Sequence, residues 1–170
     1  MRSLLALLAL LALLAFPISA STTWTVQDNG TIQSIRGITG NGDAMVAVGN
    51  TGNRMRSVDG GSTWTLLSNT GSAWWHDVDA AADGDFLAVG ESGVYAFSED
   101  DGATWTSASL GVSATFYDID RASSSTGYIV GAGVTAVYFA NGSWFSATPN
   151  VTETLYAVQD NGDGTAWLVG

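Results

Sequence analysis

The sequence predicts an all-β protein built from four-stranded antiparallel units about 40 residues long, and three observations predict it. Four tryptophans, Trp24, Trp64, Trp105 and Trp144, follow one another at intervals of 40, 41 and 39 residues. Four glycines that each close an apolar run, Gly49, Gly90, Gly131 and Gly170, keep nearly the same beat at 41, 41 and 39. Between these marks lie only short apolar runs separated by turns rich in Gly, Asn and Asp, with no sustained helical periodicity. A period of this length made of strands and turns implies a β-propeller or a similar array, in which each unit buries its faces only against its neighbours.

The chain begins differently. Residues 1–20 hold one Arg, an unbroken Leu/Ala run from Leu4 to Phe16, then Pro17 and Ile-Ser-Ala. This tripartite pattern is that of a secretory signal with Ala20 as the last residue removed. Its 13 apolar residues fall short of the roughly 18 to 20 a membrane span requires. We therefore expect an exported protein (secreted, periplasmic or lumenal) with no stable membrane anchor after cleavage. Without cysteine, the exported chain of about 150 residues has neither disulfides nor a thiolate metal site, so packing must hold it together. Once Arg2 leaves with the signal, four Arg and no Lys stand against 16 acidic residues, a net charge of 4 − 16 = −12. That balance argues against nucleic acid and anionic membranes as partners, and is compatible with cationic protein patches or neutral glycans.

Residues 22–27 match only the fourth, outer strand of a unit. Three full units follow, at approximately 31–68, 74–109 and 115–148, and half of another at 154–170. The second unit shows the pattern best. Residues 74–80 form a first strand, 86–89 a second ending at Gly90, 94–98 a third and 105–109 a fourth. In the third unit the corresponding strands are 116–119, 127–130, 134–139 and 144–147. Asn41-Gly42, Asp83-Gly84 and Asn161-Gly162 are expected hairpin turns, because a two-residue turn needs positive φ, which Gly and Asn tolerate best. The second strands are apolar on both sides of the pleat, as befits strands sandwiched between sheets. Val46, Leu87, Tyr128 and Trp167 share one column there and are expected in the core, as are Trp75, Phe116 and Leu155, and Val78, Ile119 and Val158, in the first strands. The chain starts with an outer strand and stops after the second strand of its last unit, so it reads as a truncated propeller, and residues 21–170 alone are expected to be poorly soluble or oligomeric.

Ser57-Val-Asp59-Gly-Gly61-Ser-Thr63-Trp64 and Ser98-Glu-Asp100-Asp-Gly102-Ala-Thr104-Trp105 both read S-x-D-x-G-x-T-W. On a hairpin between third and fourth strands, the Asp can accept from backbone N–H groups of its own turn, Gly supplies the unusual φ, and Trp packs as a wedge. These residues identify the units as similar to Asp-box repeats, found in sialidases, in xyloglucan-cleaving glycosidases and in the exported propeller family that helps assemble photosystem II. The stretch from His76 to Trp105 resembles the last of these most, and the resemblance extends over residues 22–170. It implies a propeller whose Asp-boxes lie on the blade periphery, away from any active site. The segment from Phe139 to Trp144 lacks the Asp.

First strands line the channel of a propeller, and its mouth is the usual binding place. There the sequence puts Arg36 in the first unit, Trp74, His76 and Asp77 in the second, Tyr117 and Asp118 in the third, and Tyr156 in the last. Asp77 and Asp118 fall in one column, as do His76, Tyr117 and Tyr156. Two carboxylates from adjacent blades are what glycoside hydrolysis or a cation would use; an Asp that recurs with the repeat is equally what backbone satisfaction requires, and that reading is preferred. The sialidase resemblance implies three Arg on the substrate carboxylate and a Tyr with an acidic partner, whereas Arg54 and Arg56 lie on a third strand and no Arg-Ile-Pro is present. With one His and no Cys, no metal site and no cofactor are expected. The sequence reads as a non-enzymatic scaffold for a protein or glycan partner, with a secreted glycoside hydrolase as the alternative.

Overall fold

A computed structural model describes residues 33–67 and 72–170. The signal, the outer strand at 22–27 and Trp24 lie outside the described residues. The first blade is β1 (Ile35–Asn41), β2 (Ala44–Gly49), β3 (Arg54–Ser57) and β4 (Thr65–Leu66). The second is β5 (Trp75–Ala80), β6 (Phe86–Gly90), β7 (Val94–Ser98) and β8 (Thr106–Ser109). The third is β9 (Phe116–Ser123), β10 (Thr126–Gly131), β11 (Thr135–Ala140) and β12 (Ser143–Ala147). β13 (Ala157–Asp160) and β14 (Ala166–Val169) make a two-stranded fourth sheet. Every sheet is an antiparallel meander in sequence order, which gives the all-β propeller of about three and a half blades that the repeats predict.

The core lies between blades. Val46 and Val48 of the first blade pack with Trp75, Val78, Phe86 and Ala88 of the second. Leu87 and Val89 of the second pack with Phe116, Ile119 and Ile129 of the third, and Val130 and Ala136 with Leu155 and Val158 of the fourth. The expected columns are therefore buried, with two corrections: Tyr128 is only partly buried, against Val130, Ala136, Leu155 and Val158, and Trp167 is 72% exposed. Trp167 stands on β14, whose outer face no sheet among the described residues covers, so column membership alone does not bury it.

The glycine ruler has a steric cause. A Cβ on Gly49, Gly90, Gly131 or Gly170 would lie 2.0, 2.3, 2.1 or 2.2 Å from the carbonyl oxygen of Ser34, Trp74, Thr115 or Thr154. Each of these carbonyls belongs to the segment entering the blade's first strand, and the first three accept the N–H of the residue after the glycine: Asn50 at 3.0 Å, Glu91 at 3.1 Å and Ala132 at 2.9 Å. Gly49 and Gly90 are extended, with φ of −170° and −161°; close approach, not conformational freedom, selects glycine there.

The turns differ from the expected two-residue hairpins. β5 and β6 end on the pair Ala80–Phe86, and β13 and β14 on Asp160–Ala166, leaving longer loops around Gly84 and Gly162. Between β1 and β2 the two turn residues are Gly42 and Asp43, one place later than the Asn-Gly pair. The Asn-Gly pair that does make a two-residue turn is Asn141-Gly142, with φ of 52° and 75°, joining β11 to β12.

Candidate functional site: the inner strands and the row at their ends

The inner edge of β5, β9 and β13 has no partner strand in its own sheet, so its N–H groups need other acceptors. Carboxylates supply them from blade to blade. Asp77 Oδ2 accepts the Ile119 N–H at 3.2 Å and Asp118 Oδ2 accepts the Val158 N–H at 2.6 Å. Two residues further along, Asp79 Oδ2 accepts the Arg121 N–H and Asp120 Oδ2 the Asp160 N–H, both at 2.8 Å. These Asp serve backbone groups, as the recurrence of Asp suggests, but beyond their own strand, where Asp77 meets the Val78 N–H and Asp79 the Ala80 N–H, they reach the next blade. In the first blade Gly37 stands where the carboxylate would be; a Cβ on it would lie 2.8 Å from Asp77 Oδ1, so its bareness makes room for Asp77.

Asp77 and Asp118 are the column pair foreseen as candidate carboxylates, and they do come together. Burial and a side-chain hydrogen bond to Asp118 push the Asp77 carboxyl up to about 8. Near neutral pH the two carboxyls thus share a proton between them, while Asp77 accepts from Ile119.

Beside this buried ladder runs a row of larger side chains. The His76 and Tyr117 rings meet edge to face at 5.6 Å, and Tyr117 stacks on Tyr156 at 5.3 Å. The row reaches outward, since Tyr156 is 62% exposed. At its other end the Arg36 guanidinium lies 5.6 Å from the centre of the exposed Trp74 ring and donates from Nε to Asn50 Oδ1. Burial and the nearby Arg36 charge hold the His76 imidazole below its usual value, so it is neutral, and its Nε2 stands 4.0 Å from Glu91 Oε1, too long for a hydrogen bond. The predicted residues therefore meet in pairs: Asp77 with Asp118, His76 and Tyr156 through Tyr117, and Arg36 with Trp74, the Arg36 charge also acting on His76. Glu91 was missed, because it sits on the 3₁₀ turn after Gly90, outside the first-strand column. Among the described residues no group of three or more His, Asp or Glu comes together in a way that could hold a metal ion.

The two S-x-D-x-G-x-T-W turns lie far out on their blades and share one bonding scheme. Asp59 Oδ1 accepts the Ser57 hydroxyl at 2.7 Å and the Thr63 N–H at 2.8 Å, and Oδ2 accepts the Thr63 hydroxyl at 2.7 Å. Ser57 Oγ takes the Gly61 N–H at 2.9 Å, and Trp64 Nε1 donates to the Gly61 carbonyl at 3.0 Å. In the second copy Ser98, Asp100, Gly102, Thr104 and Trp105 repeat every one of these bonds within 0.1 Å. Accepted hydrogen bonds, led by the Thr backbone amides, hold both Asp59 and Asp100 down at about 2.

These turns also join blades. Arg56 Nε donates to the Asp101 carbonyl at 2.6 Å, and a Cβ on Gly102 would come within 2.5 Å of Val46 Cγ2. Arg54, buried on β3, has its guanidinium 5.7 Å from the Trp75 ring and 5.3 Å from the Trp105 ring, one blade's cation between two rings of the next.

No protein-family model and no curated protein matches this sequence. Solved structures do. A structure described as YCF48 bound to D1 peptide is similar with a TM-score of 0.62 at 17% identity, covering 80% of this chain and 46% of that one. The WD40 β-propeller domain of Doa1 is similar at a TM-score of 0.59 and 12% identity, over 81% of this chain and 48% of that one. A GH74 enzyme from Niastella koreensis gives 0.56 at 25% identity, over 81% of this chain and 22% of that one. The chain thus spans less than half the length of each of these structures. They establish a propeller fold, one that a peptide-bound protein and a GH74 enzyme share.

Proposed function

We propose that this is an exported, non-enzymatic Asp-box propeller that acts as a binding or assembly scaffold, taking a protein partner on the row formed by Arg36, Trp74, His76, Tyr117 and Tyr156. One observation carries the reading: the acidic pair in the channel is spent on structure while the aromatic row beside it is displayed. Asp77 and Asp118 hydrogen-bond to each other and to the next blade's backbone. Paired glycosidase carboxyls stand about 5 to 9.5 Å apart with a sugar or a water between them. Stacked Tyr and Trp with a neighbouring Arg are the side chains that dominate protein-binding surfaces, since they bury much area at little entropic cost. The similar structure described with a bound peptide supports a polypeptide ligand, and the N-terminal signal pattern supports export.

The hydrolase alternative has one observation in its favour, a carboxyl that stays protonated at neutral pH as a general acid must. Assays on xyloglucan and sialosides decide between the readings. No turnover, together with a partner crosslinked by wild type and lost on Tyr156→Ala with Trp74→Ala, is the expected result. Turnover abolished by Asp77→Ala or Asp118→Ala would overturn the scaffold.

A further inference from the structure

The two complete junctions between four-stranded blades are built alike but filled differently. At the first, Arg54 of β3 lies against Trp105, 5.3 Å from the ring centre. At the second, Tyr95 of β7 takes the place of Arg54 and lies 5.7 Å from Trp144. What differs is the hairpin before the Trp. From Ser98 to Trp105 there are eight residues, and from Phe139 to Trp144 only six. The longer hairpin reaches back, placing Gly102 against Val46 and the Asp101 carbonyl on Arg56. The shorter one turns at once on Asn141-Gly142, two residues short of reaching as far toward Leu87 and Phe97, the residues equivalent to Val46 and Arg56. A cavity of about 260 Å³ opens there, lined on one side by Leu87, Tyr95, Phe97 and Glu99 and on the other by Arg121, Phe139 and Trp144, with Asp85 at its edge.

We infer that this cavity is a second binding site, separate from the channel row, and that it takes one lysine side chain of a partner polypeptide. The volume suits one side chain and is below that of typical small-molecule sites. Its walls are aromatic, so they take an alkyl stem and attract a cation at its end. The charge at the mouth is negative. Arg121 lies amid Asp85, Asp79 and Asp83, which offset its charge, while the exposed Glu99 makes no ion pair among the described residues. A compact ammonium fits between rings and carboxylate where a second guanidinium would have to share the place Arg121 holds. These 170 residues contain no lysine, so none of them can supply the group from a second copy. The inference stands whatever the channel row binds.

The test is a titration of the protein with the peptide acetyl-Gly-Lys-Gly-amide, reading the Trp144 indole N–H by NMR. A saturable shift is expected, weakened about tenfold or more by Glu99→Gln and by acetylating the lysine of the peptide. The same shift should persist in Tyr156→Ala, which alters only the channel row. Exchanging residues 139–143 for the seven-residue sequence of 98–104 should fill the groove and abolish the shift with the fold retained by circular dichroism. No saturable shift, equal binding of acetyl-Gly-Leu-Gly-amide or of the acetylated peptide, an unaffected Glu99→Gln variant, loss in Tyr156→Ala, or binding that survives the loop exchange each overturns the assignment.

Discussion

Asp77→Asn separates the structural use of the channel acid from its charge. In the wild type, Asp77 accepts from Ile119 and shares a proton with Asp118. Asparagine keeps both roles, with a carbonyl for Ile119 and an amide for Asp118, and cannot ionise. The folded carboxyl sits at about 8, against about 3.9 in an unfolded chain. Between these values the native state holds a proton that the unfolded state has released, so stability falls as pH rises, by about 1.4 kcal/mol per unit at most. Sharing the site with Asp118 makes the proton a property of the pair, and we expect a total of about 2 to 5 kcal/mol across the window. His76 acts in the opposite sense below about pH 6.5, because its depressed value makes stability rise with pH there. Both proteins retain His76, so the difference between them isolates Asp77. Urea unfolding at a series of pH values should show the two nearly equal near pH 4.5 and Asp77→Asn more stable by about 2 kcal/mol or more near pH 8.5. A variant less stable than wild type throughout, or a difference that does not grow with pH, refutes the shared-proton arrangement.

Gly90→Ala should cost about 3 kcal/mol or more in the same assay, since its methyl would meet the Trp74 carbonyl, which is backbone and also holds Glu91; a loss below 1 kcal/mol would remove the steric account of the glycine ruler. Asp100→Ala should lower stability at neutral pH and flatten the acid limb of the profile. A carboxylate held down at about 2 contributes stability that is present above about pH 4 and lost as pH falls toward 2. An acid limb as steep in the variant as in wild type would place the effect elsewhere.

The repeat was legible because its causes are local and recur. A glycine every 40 residues or so reports a carbonyl pressed against its Cα, and the S-x-D-x-G-x-T-W string spells out a closed set of hydrogen bonds within one hairpin. The same strings place Asp77 and Asp118 in one column, and the structure brings the pair together. What the strings do not carry is anything that depends on the neighbouring blade. That Asp77 reaches Ile119 of the next blade, that Arg54 lies between Trp75 and Trp105, and that Trp167 is bare all follow from how sheets stack, and no spacing along one strand encodes it. The longer loops at Gly84 and Gly162 were misread for a related reason: a dipeptide reports which φ values are easy, while strand pairing decides where the hairpin closes.

Repetition also tells where to look for function in a molecule of this kind. A side chain present in every blade is explained by what every blade needs, as the Asp ladder and the glycine ruler are. Binding must then use departures from the pattern, because only they make one junction differ from the next. The channel row is such a departure: its column reads Arg36, His76, Tyr117 and Tyr156, four positions with little in common except size. The missing Asp in the third hairpin is another. In the sequence it looks like a weakened repeat, yet the two absent residues are the ones that fill the first junction through Asp101 and Gly102, and their loss is what opens the cavity at the second. The facing positions do bring bulk, with Leu87, Tyr95 and Phe97 where the first junction has Val46, Arg54 and Arg56, yet Tyr95 and Phe97 stack on each other at 6.4 Å along one wall and the space between blades stays open.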